Sequence, residues 1–103
     1  MQINERHHVA VISTGHMTGS DSQRFWEAWK KQEAGRGIFW VQQTEYGWLL
    51  RISASEDWRA ELFNAQVSPE TVDNIAALEA AGFDWIWFER DADRVEKLAW
   101  QEW

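Results

Sequence analysis

The side chains best equipped for chemistry are hydroxyls gathered around one histidine: Ser13, Thr14, His16 and Thr18. Glu45 and Tyr46 lie further along, and Asp84 further still. Brought to one edge, an imidazole beside a carboxylate and hydroxyls can serve as a general base or hold a small polar ligand. The set Thr14, His16, Thr18, Glu45 and Tyr46 is therefore a candidate polar site, with no catalytic role assigned to any member. The simpler reading is structural: the threonines satisfy loop backbone groups and His16 caps or packs. Because His16 follows the apolar run Val9–Ile12, its truncation to alanine is expected to cost little stability. Ile12→Ala or Trp85→Ala should each cost about 2–5 kcal/mol as core deletions.

Other site chemistries find little support. No nucleophile elbow, phosphate loop or helical metal motif is present. His7 and His8 are adjacent, so on a strand they point to opposite faces and cannot chelate together. With no cysteine there is neither a disulfide nor a thiolate metal site. No cofactor is expected.

Charge offers a different function. Residues 1–54 hold five acids and six Lys or Arg, whereas residues 55–103 hold twelve and four. The net charge of −7 thus comes from the second half. Such a surface repels phosphate backbones and attracts basic proteins, so direct nucleic-acid binding is not expected. Glu56, Asp57, Glu61, Glu70, Asp73, Glu79, Asp91, Asp93 and Glu96 are the candidate acidic face. Nine tryptophans are available as apolar anchors, with Trp58 and Trp103 the candidates for exposure. The plainer reading is a solubilising surface.

These residues must be positioned by a single domain, since 103 residues suffice for one core. Val9–Ile12 is unalternating and β-branched, which predicts a strand buried on both faces and internal to a sheet. Ser20 and Gln23 fit a capping box opening a helix from Asp21 to Ala34, stopped by Gly35. Ile38 to Gln43 and Trp48 to Ser53 form a hairpin around Thr44-Glu45-Tyr46-Gly47. Residues 54–67 predict only a helical turn in a loop, with Ser55 as its cap. Ser68 before Pro69 begins a second helix, with Val72, Ile75, Ala76 and Leu78 as its apolar stripe and Gly82 after it.

Phe83–Glu89 reads as the next strand, with Trp85 and Trp87 on its core face or, alternatively, forming an aromatic patch. A helical turn is expected within Asp91–Lys97, then an edge strand or packed tail from Leu98 to Trp103. Residues 1–6 read as a loose end. The order predicts an α+β, ferredoxin-like split β-α-β-β-α-β fold. Its sheet should be mostly antiparallel, in the order fourth, first, third, second, with both helices on one face and a fifth strand at the C-terminus if the tail pairs.

Three segments carry a resemblance: Val-Ile-Ser-Thr-Gly-His-Met-Thr (11–18), Glu-Tyr-Gly-Trp (45–48), and Phe-Asp-Trp-Ile-Trp-Phe-Glu-Arg-Asp (83–91) with the closing Trp103. They resemble a family of short bacterial proteins of unknown function carried on plasmids, prophages and other mobile elements. There the segments read roughly Ile-Ser-Thr-Ala-His-Leu-Thr, Tyr-Gly-Trp, and Phe-Asp-Arg-Asp with a terminal Asp-Trp. This chain departs at Gly15, Met17 and Glu89, lacks a glycine soon after Asp91, and has no matching segment at 54–67. The resemblance implies a small α+β domain and brings no established activity. Its mobile-element setting implies one role, protection against a host restriction or CRISPR system by occupying a nucleic-acid-binding surface.

The expectation is a non-enzymatic acidic interaction protein that binds a basic protein or nucleoprotein complex. Alternatives are a small enzyme or ligand-binding domain at the His16/Tyr46 edge, and an accessory domain that forms a homodimer. No stretch approaches the roughly 20 apolar residues of a membrane span, and no signal peptide is legible. A cytoplasmic protein without membrane association is expected.

Overall fold

A computed structural model describes residues 1–101. The strands are β1 (Val9–Ser13), β2 (Val41–Thr44), β3 (Gly47–Leu50) and β4 (Trp85–Glu89); the helices are α1 (Gly19–Lys30), α2 (Trp58–Asn64) and α3 (Pro69–Ala80). Short 3₁₀ turns follow β1, α1 and β3. The α+β class and the β-α-β-β-α-β succession are as the sequence predicts, with α2 added. β4 pairs parallel with β1 and antiparallel with β3, and β2 pairs antiparallel with β3.

The strand order is β1-β4-β3-β2, which corrects the expectation that Val9–Ser13 lies inside. Both β1 and β4 are unalternating apolar runs, and only one can take the centre. β4 carries large side chains on both faces: Ile86 and Phe88 are buried, while Trp85 and Trp87 are half-buried opposite them. β1 leaves Val9 and Val11 exposed. The bulkier strand gains more from neighbours on both sides.

The core lies between one sheet face and the three helices. Ala10, Ile12, Val41, Trp48, Leu50, Ile86 and Phe88 meet Phe25 and Ala28 of α1, Trp58 and Leu62 of α2, and Ile75 and Leu78 of α3. Phe25 sits about equally between Trp48 and Phe88, with ring centroids 6.2 Å from each. The core side of β4 is therefore the Ile86/Phe88 side, and Trp85 and Trp87 belong to the open face with Val9, Val11 and Leu49.

Boundaries shift where side-chain chemistry decides them. The cap of α1 is Thr18, not Ser20: its hydroxyl accepts from Asp21 N–H, and Asp21 returns the bond to Thr18 N–H. β2 starts at Val41, because Ile38–Trp40 turns to bury Ile38 and Trp40. Residues 54–67 form a two-turn helix rather than one turn in a loop. Its N-cap is Asp57, and the Ser55 hydroxyl donates instead to Glu61 Oε2 at 2.7 Å. Residues 91–97 contain turns but no helix, and residues 98–101 form a packed tail without a strand. The expected end at Trp103 lies outside the described residues.

Helix α2 ends on a left-handed residue, Gln66 (φ 66°), with Val67 N–H bonded to the Leu62 carbonyl. Gly82 (φ 101°) ends α3 through the same pattern. A side chain in this region is strained by about 1 kcal/mol, so Gln66→Gly is expected to stabilise the domain by up to that amount. Urea midpoints for the two chains check this; an unchanged or lower midpoint would show that the glutamine side chain compensates the strain.

Candidate functional site

The candidate polar site does not assemble as a unit. Thr14, Glu45 and Tyr46 do meet, lining an open cleft of about 330 Å³ with Ser22, Thr44, Trp48 and Arg90. They meet because the end of β1 and the start of β3 both lie beside the end of β4. The Arg90 guanidinium stacks on Tyr46, 4.1 Å from the ring centroid. Thr44 Oγ1 is buried there with no hydrogen-bond partner among the described residues.

His16 is outside this cleft and only 1% exposed. Its Nδ1–H donates to the Ala99 carbonyl, and its Nε2 accepts from Val95 N–H, both at 2.8 Å. Those two bonds require the tautomer with the proton on Nδ1. Asn74, from α3, donates to the carbonyls of His16 (2.9 Å) and Ala99 (3.1 Å) and accepts from Ala99 N–H (3.0 Å). Trp100 closes against the same turn, edge-on to His16 at 5.3 Å. A Cβ on Gly15 would come within 2.5 Å of that indole. His16 is thus the latch of the C-terminal tail, and the low cost expected for its truncation is corrected below.

Thr18 serves as the α1 cap, and its partner Asp21 is a residue the sequence reading missed. Asp21 is 1% exposed and accepts from Thr18 N–H (3.0 Å), Ser68 N–H (2.7 Å), the Ser68 hydroxyl (2.8 Å) and the Thr71 hydroxyl (2.6 Å). Burial pushes its carboxyl up, but the bonds from Thr71, Ser68 and Thr18 outweigh this and hold it below 3.8. One carboxylate therefore ties together the N-termini of α1 and α3, where both helix dipoles favour negative charge. The signal was available as Thr18-x-x-Asp21, a capping box in its acidic form.

Asp84 does not reach the cleft. The parallel pairing of β1 with β4 puts the start of β4 beside the start of β1. Asp84 there binds His7 Nδ1 at 2.6 Å and accepts His8 N–H at 2.7 Å. His7 also stacks on Trp85, with ring centroids 4.2 Å apart, and the Asp84 and Glu5 carboxylates raise its pKa above 6.5 against the opposing effect of desolvation.

The acidic candidates divide. Glu56, Asp57, Glu70, Asp73, Asp91, Asp93 and Glu96 are exposed, and among the described residues only Asp91 of this set has an ion pair, with its neighbour Arg90 at 3.5 Å. Glu61 and Glu79 are engaged by tryptophans: Trp40 donates to Glu61 at 2.8 Å and Trp58 to Glu79 at 2.9 Å. Trp58 is only 4% exposed and cannot be a surface anchor, which corrects that expectation. Trp103 lies outside the described residues. On α3 the exposed stripe runs through Glu70, Asp73, Ala77 and Ala80, opposite the buried Thr71, Ile75 and Leu78. Glu79 falls about half a turn from Glu70, so the two do not share a face.

Among the described residues the most exposed aromatic side chain is Phe63, at 78%, ahead of Phe39 at 57%. Phe63 borders an apolar groove of about 470 Å³ between α2 and α3, formed with Ala60, Val67, Pro69 and Val72 and flanked by Arg59 and Asp73. The spacing of Ala60, Phe63 and Val67 was its sequence signal, obscured by the polar Asn64-Ala65-Gln66.

Fold and surface together define a small α+β domain with a mixed four-stranded sheet, one open sheet face and an acidic exterior. Residues 9–103 match the model described as Family of unknown function (DUF5983) C-terminal domain. The chain belongs to that family of unknown function. No curated protein and no solved structure matches the chain. No helix among the described residues is long and apolar enough to cross a membrane.

Proposed function

We propose that this domain is an acidic, non-enzymatic docking module that binds a basic protein surface through α2 and α3. The observation that carries the reading is Phe63, 78% exposed on an apolar groove whose α3 rim carries Asp73, with Glu70 one turn earlier. An exposed phenylalanine on such a groove supplies the desolvated anchor that charge alone lacks. The acids steer a basic partner into place. A nucleic-acid-binding protein of a host defence system is the partner class that the mobile-element resemblance implies.

The test is capture from a host lysate by the wild-type domain, Phe63→Ala and the pair Glu70→Lys/Asp73→Lys, with the captured proteins identified by mass spectrometry. A basic nucleic-acid-binding protein should be held by the wild type at low salt. Phe63→Ala should weaken it by about 10–100-fold, the range of an interface anchor. Charge reversal should weaken it most at low salt, where exposed charges are screened least. Equal capture by all three chains, or capture unaffected by high salt, would reject the reading. A second reading, a small-ligand site in the Tyr46 cleft, is favoured by the unpartnered Thr44 hydroxyl beside Arg90.

A further inference from the structure

We infer that His7 is a pH-operated clasp: doubly protonated, it straps the N-terminal segment over Trp85, and on losing one proton it lets that segment go. The clasp closes on a single carboxylate. Asp84, in the connection between α3 and β4, uses both of its oxygens: Oδ1 accepts His8 N–H at 2.7 Å, and Oδ2 accepts from His7 Nδ1 at 2.6 Å. The His8 carbonyl accepts in return from the amides of Asp84 and Trp85, at 3.0 and 3.3 Å. His7 is thereby laid nearly flat on Trp85, with the ring planes 23° apart. Residues 1–8 form neither helix nor strand, so bonds to this one site, and not a sheet ladder, fix the end of the segment.

The atoms facing the ring decide its protonation state. Glu5 Oε1 lies 3.3 Å from Nε2, while Asp84 holds Nδ1. Ionised carboxylates only accept, so a ring that serves both must donate from both nitrogens, which imidazolium alone does. A cationic ring over an indole face is favoured further. Without its second proton the ring still serves Asp84 through Nδ1–H, but Nε2 turns a lone pair toward the Glu5 carboxylate. The segment before His7 then loses that hold, and the bond to Asp84 loses its charge. The groups facing the ring are Glu5 from its own segment, Asp84 from the α3–β4 connection and the uncharged Trp85 of β4; the neighbouring Arg6 and His8 are exposed. The bond to Asp84 raises the His7 pKa most, desolvation opposes it, and Glu5 adds to the rise. The folded value lies above 6.5, so the clasp's contribution is complete below 6.5 and is lost as pH rises through the folded value. Trp85 stands on the open sheet face in register with Val9, so release of the strap enlarges the apolar surface of that face.

NMR on the full chain, from about pH 5 to about pH 9, covers the range in which imidazoles titrate. The His7 ring signals should titrate with a midpoint above 6.5. Glu5 is 83% exposed, so Glu5→Gln should lower that midpoint slightly, and Asp84→Asn should lower it more. Through the same midpoint the contacts between the His7 and Trp85 rings should fade. Protection of the His8 amide, corrected for the intrinsic pH dependence of exchange, should fall about threefold or more. His7→Gln keeps a donor of similar reach but cannot change its charge, so in that chain the protection should stay level. A midpoint at or below 6.5, a midpoint that neither carboxylate variant moves, or a His8 amide that behaves alike in the wild type and His7→Gln would each overturn the inference.

Discussion

His16→Ala is expected to lower stability by about 3–5 kcal/mol, as much as deleting a large core side chain. The imidazole is buried and, among the described residues, is the one partner of Val95 N–H, while it shares the Ala99 carbonyl with Asn74. Alanine would leave a cavity against Trp100 and an unpaired amide beside it. For a chain of about this length each kcal/mol lowers the melting temperature by about 4–8 °C, so the effect is far outside measurement error. Urea midpoints give the magnitude, and hydrogen exchange gives the mechanism. The amides of Val95, Ala99 and Gln101, bonded respectively to His16, Asn74 and the Gly15 carbonyl, should lose protection first. A loss below about 1 kcal/mol with the tail still protected would mean that Asn74 and Trp100 hold the tail without the imidazole.

Asp21→Ala should cost a similar amount, about 3–5 kcal/mol, because it strips the acceptor from four donors at once. Thr18 and Ser68 would keep backbone amides at two helix starts with no partner. The same carboxylate ties stability to pH. Its folded pKa lies below 3.8, so its contribution is fully present above that value and is lost as pH falls through the depressed folded value. Acid unfolding of the wild type should therefore steepen in that range, and the Asp21→Ala chain should lack that component. Stability curves against pH for both chains, followed by tryptophan fluorescence, test this. Parallel acid limbs would show that other carboxylates govern acid unfolding.

The sequence by itself determined most of what is local. Ser68-Pro69 and Gly82 bracket a helix because a hydroxyl cap, a fixed φ and a left-handed stop act within a few residues. The hairpin at Thr44–Gly47 and the unequal charge of the two halves are legible for the same reason. Where two local signals competed, the reading erred: Thr18 and Ser20 are both capping residues, and Asp21 chose between them by also reaching Ser68 and Thr71. That choice involves residues about fifty positions away, which no window on the sequence contains.

What only the tertiary structure decided is which apolar run takes the centre of the sheet. Val9–Ile12 and Trp85–Phe88 have the same pattern, and periodicity cannot rank them. Packing can, because the tryptophan-bearing strand buries more area with a neighbour on each side. That one outcome sent Asp84 to the far end from Tyr46, left His16 to the tail instead of a cleft, and opened the edge of β1. Burial also reassigned the aromatics. The indole of Trp58 lies inside with its N–H bonded to Glu79, while Phe63 stays exposed on the groove. Composition supplied the acids and the aromatic side chains; long-range pairing decided which of them face solvent, because burial is a property of the assembled layers and not of any one segment.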